Sequence, residues 1–234
     1  MKQAAGSRQQ AATLDHQSSI INHQSSIPSP LTPHPSPLAP ASAASPRFLV
    51  IEKETATQQY AVQMSGGPAA NDDDRYAAGL LSTVLGDDTG SRLFWDLVDP
   101  GLAEHASLGH LEYDDAGLYV THLSCAPDRA RDNLQRVLDI YRQAERDGIT
   151  DEELSQAKSK WSSRIVLSGE RPRNRLFAVG GEWVQRRQYR SVRDVLDAVA
   201  AVSRDDVWRV LTRYPLSRAT TVAIGPLGEL PAPK

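Results

Sequence analysis

A single cysteine, Cys125, stands in 234 residues, which rules out an internal disulfide framework and suits a reducing compartment. It falls in a segment of alternating apolar residues, where a thiol packs as a small hydrophobe rather than serving as a nucleophile. No run approaches the roughly 18 apolar residues of a membrane span, and the first residues lack the apolar stretch of a secretory signal. The expectation is a cytoplasmic protein without membrane association. Phosphate loops are missing as well. Gly66-Gly67 and Gly180-Gly181 have neither the Lys-Ser/Thr nor the strand–helix setting of a P-loop, and read as turn or close-packing glycines. No aromatic pair of the kind that stacks on RNA bases is present.

What is present divides unevenly. His16-Gln-Ser-Ser-Ile20 recurs as His23-Gln-Ser-Ser-Ile27, and seven prolines follow between Pro28 and Pro46. Such a segment cannot bury enough apolar surface to offset the entropy of ordering it. Residues 1–46 are therefore expected to be a disordered tail, or else translated sequence upstream of the true start. Residues 47–228 form the expected folded domain, roughly 180 residues and large enough for one core, with 229–234 as a short tail.

Within that domain, Phe48–Glu52 and Gln58–Met64 read as strands, the second alternating through Tyr60, Val62 and Met64 and ended by Ser65-Gly-Gly-Pro68. A helix spans Asn71 to Leu85, capped by Asn71 or Asp72, and Gly86 stops it as a left-handed residue. Ala103–Tyr113 and Gly117–Cys125 make a hairpin, and a register centred near Asp115 would put His110 and His122 on one face. Asp128 caps the next helix, closed by Gly148; Thr150 and Glu153 form a capping box for another; Pro172, Ser191 and Ser203 open three more. Thr220–Ile224 is a last strand. This order lacks strict βαβ alternation and predicts an α+β fold, an antiparallel or mixed sheet with helices packed on one side.

The stretch Gly86-Asp-Asp-Thr-Gly-Ser-Arg-Leu-Phe-Trp-Asp-Leu-Val-Asp-Pro-Gly-Leu102 organises the domain. Ser91 can cap a short helix carrying Leu93, Phe94 and Leu97, and Pro100-Gly101 ends it. Helix, Gly-rich turn, Ser-Arg-Leu-Phe, short helix and Gly-Leu-Ala resemble, in that order, the C-terminal, non-zinc domain of the pitrilysin/insulinase family of zinc metallopeptidases. The nearer likeness is to the mitochondrial-processing-peptidase type. It runs from about Arg47 to Pro226 and includes Gln58-Gln59-Tyr60, the segment Gly148 to Lys158, and Val222-Ala-Ile-Gly-Pro226.

The resemblance implies the same layered α+β architecture and a non-catalytic domain. Such a domain completes a peptide-binding chamber with a zinc-bearing half or homologous subunit. Catalytic members carry His-x-x-Glu-His on a helix, and none of the six histidines here stands in that pattern. Zinc is thus expected in a partner half, with no cofactor in this chain. The family's C-terminal domain also supplies an Arg and a Tyr that orient the substrate carbonyl. Here those positions fall on Val98 and on Glu104 or His105. The candidates for substrate contact are Arg92, Glu104 and His105, with no catalytic or metal-ligating residue assigned.

Charge adds a second reading. Lys158 to Arg193 holds ten Lys/Arg against Glu170 and Glu182, although the whole chain is net −3. Arg173, Arg175, Arg186 and Arg187 define a basic helical surface, with Trp161, Phe177 and Trp183 at core-like helical positions between the charges. The alternative to the peptidase reading is a stand-alone scaffold module using this face for an acidic partner or nucleic acid. The missing groove-reading motif weighs against nucleic acid.

Overall fold

The computed structural model describes residues 47–234, so the low-complexity tail expected over residues 1–46 lies outside the described residues. Five strands form one mixed sheet: β1 (Phe48–Glu52), β2 (Gln59–Gly67), β3 (His105–Glu112), β4 (Gly117–Cys125) and β5 (Thr220–Gly225), in the order β1-β5-β2-β4-β3. β5 enters between β1 and β2, parallel to the first and antiparallel to the second. The helices are α1 (Arg75–Gly86), α2 (Ala130–Asp147), α3 (Asp151–Gly169), α4 (Pro172–Arg186), α5 (Val192–Ala201) and α6 (Arg204–Arg213).

Burial alternates along β2 and defines two unlike faces. Gln59, Ala61, Gln63 and Ser65 turn to a covered face, Tyr60 and Met64 to an open one. On the covered side α1 buries Leu80, Leu81 and Leu85, and α2 buries Leu134, Val137 and Tyr141. The Tyr141 hydroxyl pairs with Thr121 of β4 at 2.6 Å, so neither buried group is orphaned. α3, α5 and α6 stack on α1 as an outer layer, and α4 rests on α3. The fold is the expected α+β arrangement, a mixed sheet with its helices on one side.

Several local expectations are corrected. β2 runs on through Gly66 and Gly67, which pair with Leu118 and Gly117 of β4 instead of ending the strand. α1 starts at Arg75. Asp72 turns back to accept the Asp74 amide at 2.9 Å, so the acidic run forms the turn before the helix. Gly86 is the last residue of α1 and is not left-handed; among the described glycines positive φ occurs at Gly90, Gly101 and Gly148. Asp128 lies in a 3-10 turn (Pro127–Arg129), and α2 begins at Ala130 without a side-chain cap. The boxes at Thr150/Glu153, Ser191/Asp194 and Ser203/Asp206 are complete in both directions.

Candidate functional site

The stretch from Gly86 to His105 is held by its neighbours at almost every turn. After α1, the Asp87 carboxylate takes Lys160 at 2.9 Å and Arg164 at 2.6 Å, both from α3. Burial raises the Asp87 pKa, but these two cations outweigh it and hold the carboxyl below its ordinary range. The Ser91 hydroxyl donates to the Asp87 carbonyl at 2.7 Å and accepts the Phe94 amide at 3.1 Å, the capping role its position predicts. The short helix that follows, Phe94–Val98, is wound as a π-turn with Leu93 and Leu97 fully buried. Asn133 of α2 donates to the Leu102 carbonyl at 2.7 Å and fixes the exit toward β3.

Arg92 sits in a clasp rather than on an open surface. Its guanidinium donates to both Glu153 oxygens, at 2.7 and 2.9 Å, and to the Gly148 carbonyl at 3.0 Å. Burial raises the Glu153 pKa, yet Arg92 and the Thr150 amide together keep it depressed. Glu104 and His105 emerge, both exposed, at the start of β3. The His105 ring lies 2.9 Å from the Ser107 hydroxyl. The three substrate-contact candidates therefore do not converge: Arg92 is anchored to α3, while Glu104 and His105 stand at the sheet. Val98, at the family's arginine position, packs against the core.

The open sheet face extends from that corner. His105 pairs with Ser124, and Ser107 with His122, so His105, Ser107, His122 and Ser124 line one face. The Ser124 hydroxyl donates to Gln58 at 2.5 Å, and Tyr60 lies beside Ser124 on β2. His110 pairs with Tyr119 and faces the other way. The true register centres half a residue from Asp115, which reverses the expected sharing of a face by His110 and His122. The buried His110 ring meets the Pro68 carbonyl at 2.9 Å; desolvation lowers its pKa despite that bond and Glu112. No group of three His, Cys, Asp or Glu placed to hold a metal ion occurs among the described residues. His105 and His122 thus supply two imidazoles and no third ligand, which does not fit a zinc centre.

Toward β5 the same face turns apolar. Met64 and Ile224 are 48% and 37% exposed, Tyr60 is 46% exposed, and Leu49 and Ile51 of the edge strand β1 are also uncovered. The Tyr60–Val62–Met64 alternation was visible in sequence. That it points away from the helices was not, because the covered side of β2 is lined by small and polar residues, among them Gln63, which donates to Thr221 at 3.2 Å.

The basic segment is split in use. Arg186 of α4 donates to the carbonyls of Ala70 (2.6 Å) and Asp72 (3.1 Å), and burial lowers its pKa. Buried Arg75 meets Glu182 of α4 at 2.5 Å and Glu112 at 3.5 Å. Burial disfavours the Arg75 charge, but Glu182 and the neighbouring groups overcome it. Arg175 reaches the Tyr189 hydroxyl at 3.0 Å. Arg173 and Arg187 are exposed. Phe177 and Trp183 are exposed as well, 65% and 54%, against the core positions their spacing suggested.

A mixed sheet backed on one side by helices, with no zinc-ligand set among the described residues, is the architecture that the family resemblance implies. The model of the Peptidase M16 inactive domain matches residues 9–160, and the chain belongs to this family. It is 30% identical over 188 residues to an uncharacterized zinc protease of Streptomyces coelicolor, covering 80% of this chain and 40% of that protein. The chain thus spans less than half the length of that relative. Among solved structures it resembles the peptidase M16 inactive domain from Pseudomonas fluorescens, with TM-score 0.71 and 19% identity over 81% of this chain and 45% of that one. A protease from Helicobacter pylori aligns with TM-score 0.70 and 20% identity, covering 78% of this chain and 45% of that one. These two likenesses establish the fold. No helix among the described residues is long and apolar enough to cross a membrane.

Proposed function

We propose that this chain is the non-zinc wall of a two-part peptidase, its open sheet face forming one side of a peptide-binding chamber that a zinc-bearing half completes. The observation that carries this reading is the alternation of β2. Tyr60, Val62 and Met64 form the apolar side of that strand, and with Ile224 they face away from the helices among the described residues. An apolar sheet face of this extent calls for a cover or an apolar ligand. Glu104 and His105 stand at its rim, where the family resemblance places substrate-contacting groups. His105 can donate a hydrogen bond to a peptide carbonyl; Arg92, tied to Glu153, supports the rim from behind. The zinc and its activated water belong to the partner, and this chain's residues bind and align peptide.

Co-expression with a neighbouring His-x-x-Glu-His protein tests the reading. The two should co-purify, and chelator-sensitive peptidase activity should require this chain. His105→Ala should lower that activity by about tenfold, the worth of one substrate hydrogen bond, with little change in melting temperature. A persistent monomer beside a zinc protein indifferent to its presence would refute the proposal.

A further inference from the structure

On the far side of the helical layer, α4 presents a second uncovered surface of different chemistry. None of its residues is buried. Leu176, Phe177, Trp183 and Val184 are 69%, 65%, 54% and 64% exposed, and Leu167 at the end of α3 is 63% exposed. Helical spacing sets Leu176, Gly180 and Trp183 along one line and Phe177, Gly181 and Val184 along the next. The result is one apolar stripe with two glycines at its middle. Nothing stands within 4 Å of a Cβ added at Gly180 or Gly181, so the centre of the stripe is an open notch between larger side chains.

Arginines bracket this stripe. Arg173 lies one turn before Phe177, its guanidinium 5.8 Å from the ring centre, and Arg187 lies one turn after Trp183. Arg171, Arg173 and Arg187 are exposed and form no ion pair among the described residues. Beside the stripe, α3, α4 and the start of α5 border an open pocket of about 450 Å³, its floor apolar at Trp161, Ile165 and Val195 and its wall polar at Arg164, Asn174 and Arg175. An apolar stripe flanked at both ends by exposed cations complements a segment that is apolar in the middle and acidic at its ends.

We propose that the α3–α4–α5 surface docks an amphipathic helix of a second protein, its apolar side chains over the Gly180–Gly181 notch and its carboxylates on Arg173 and Arg187. Helix-in-groove recognition of this kind takes anchors at one-turn spacing, which the stripe supplies. The aliphatic share of the surface separates this ligand from nucleic acid. Leu176, Val184 and Leu167 would gain nothing from a phosphate backbone, whereas an apolar helix face covers them. This surface is independent of the open sheet face, so it stands or falls apart from the chamber reading.

The experiment titrates the full chain with a synthetic helical peptide carrying Leu and Phe along one face and Glu at both ends. Its comparators are the Glu→Gln peptide, a peptide with Ser at the apolar positions, and duplex DNA. The first peptide should bind at least about tenfold more tightly than any comparator, and added salt should weaken it. Phe177→Ser, Gly180→Leu and the pair Arg173→Glu with Arg187→Glu should each reduce binding by about tenfold. These positions are exposed, so the circular dichroism spectrum should stay near wild type and no variant should lower the melting temperature, Gly180→Leu raising it slightly through helix propensity. Tighter binding of the duplex would overturn the proposal in favour of a nucleic-acid surface. Self-association removed by the same substitutions would overturn it in favour of a second copy. Peptide binding insensitive to all three variants would overturn it outright.

Discussion

Gly86 and Gly180 both lie within helices, yet the reasons for a missing side chain differ. A Cβ at Gly86 would stand 2.2 Å from the Leu108 backbone nitrogen, so α1 touches β3 through bare backbone there. Gly86→Ala should therefore force helix and strand apart and cost about 1–3 kcal/mol. Gly180 has no neighbour within 4 Å of an added Cβ, and alanine there should add about 0.5–1 kcal/mol through helix propensity alone. Urea midpoints of the two variants, moving in opposite directions, check the pair. Sequence could not separate these cases, since a glycine at a helix end suggests a left-handed stop whether or not another backbone passes close by. The histidines show the same limit at finer grain. His110 and His122 were legible as strand residues, but a shift of half a residue in the hairpin centre decides whether they share a face.

Elements bounded by local chemistry are legible in the sequence, and those bounded by packing are not. Thr150 with Glu153, and the Ser191 and Ser203 starts, declare themselves through side chains that reach three residues along the chain. The π-turn at Phe94–Val98 and the exposure of α4 depend on what lies across from them, which no local pattern records. Glu153 joins the two kinds of information, because it closes a capping box and also holds Arg92 from the organising stretch. Its folded pKa is depressed, first opposed by burial and then set by Arg92 and Thr150. The sign follows: the stabilisation is complete above the unfolded value near pH 4.3 and is lost as pH falls through the folded pKa. Glu153→Gln keeps a side chain able to accept the Thr150 amide but leaves Arg92 without its carboxylate, for a loss of about 1–3 kcal/mol at neutral pH. Glu153→Ala should lose about 0.5–2 kcal/mol more as the box opens. Both variants should show a shallower decline of stability in acid than the parent, measurable by denaturant unfolding between pH 3 and 7; an unchanged acid slope would mean the clasp contributes nothing.

At the scale of the whole molecule the sheet separates a face packed by the helices from a face left open among the described residues. β5 shows this within two adjacent residues. Ala223 is fully buried against the helices, and Ile224 is 37% exposed on the open face beside Tyr60. The larger apolar residue thus stands on the face that no helix among the described residues covers, the arrangement that the chamber proposal uses. The layered α+β fold was legible in the order of elements, but the direction of this face was not, because alternation gives period and not side. Two threonine substitutions separate the roles. Ala223→Thr adds bulk and a hydroxyl to a packed position with no room for either, and should cost about 1–3 kcal/mol. Ile224→Thr removes exposed apolar surface from a strand that threonine suits, and should change stability by no more than about 0.5 kcal/mol. If the open face is the chamber wall, Ile224→Thr combined with Met64→Thr should leave the melting temperature near that of the parent while weakening capture of the zinc-bearing half or its peptide. Equal losses of stability at positions 223 and 224 would mean that both faces serve the fold, and would remove the main support for a missing cover.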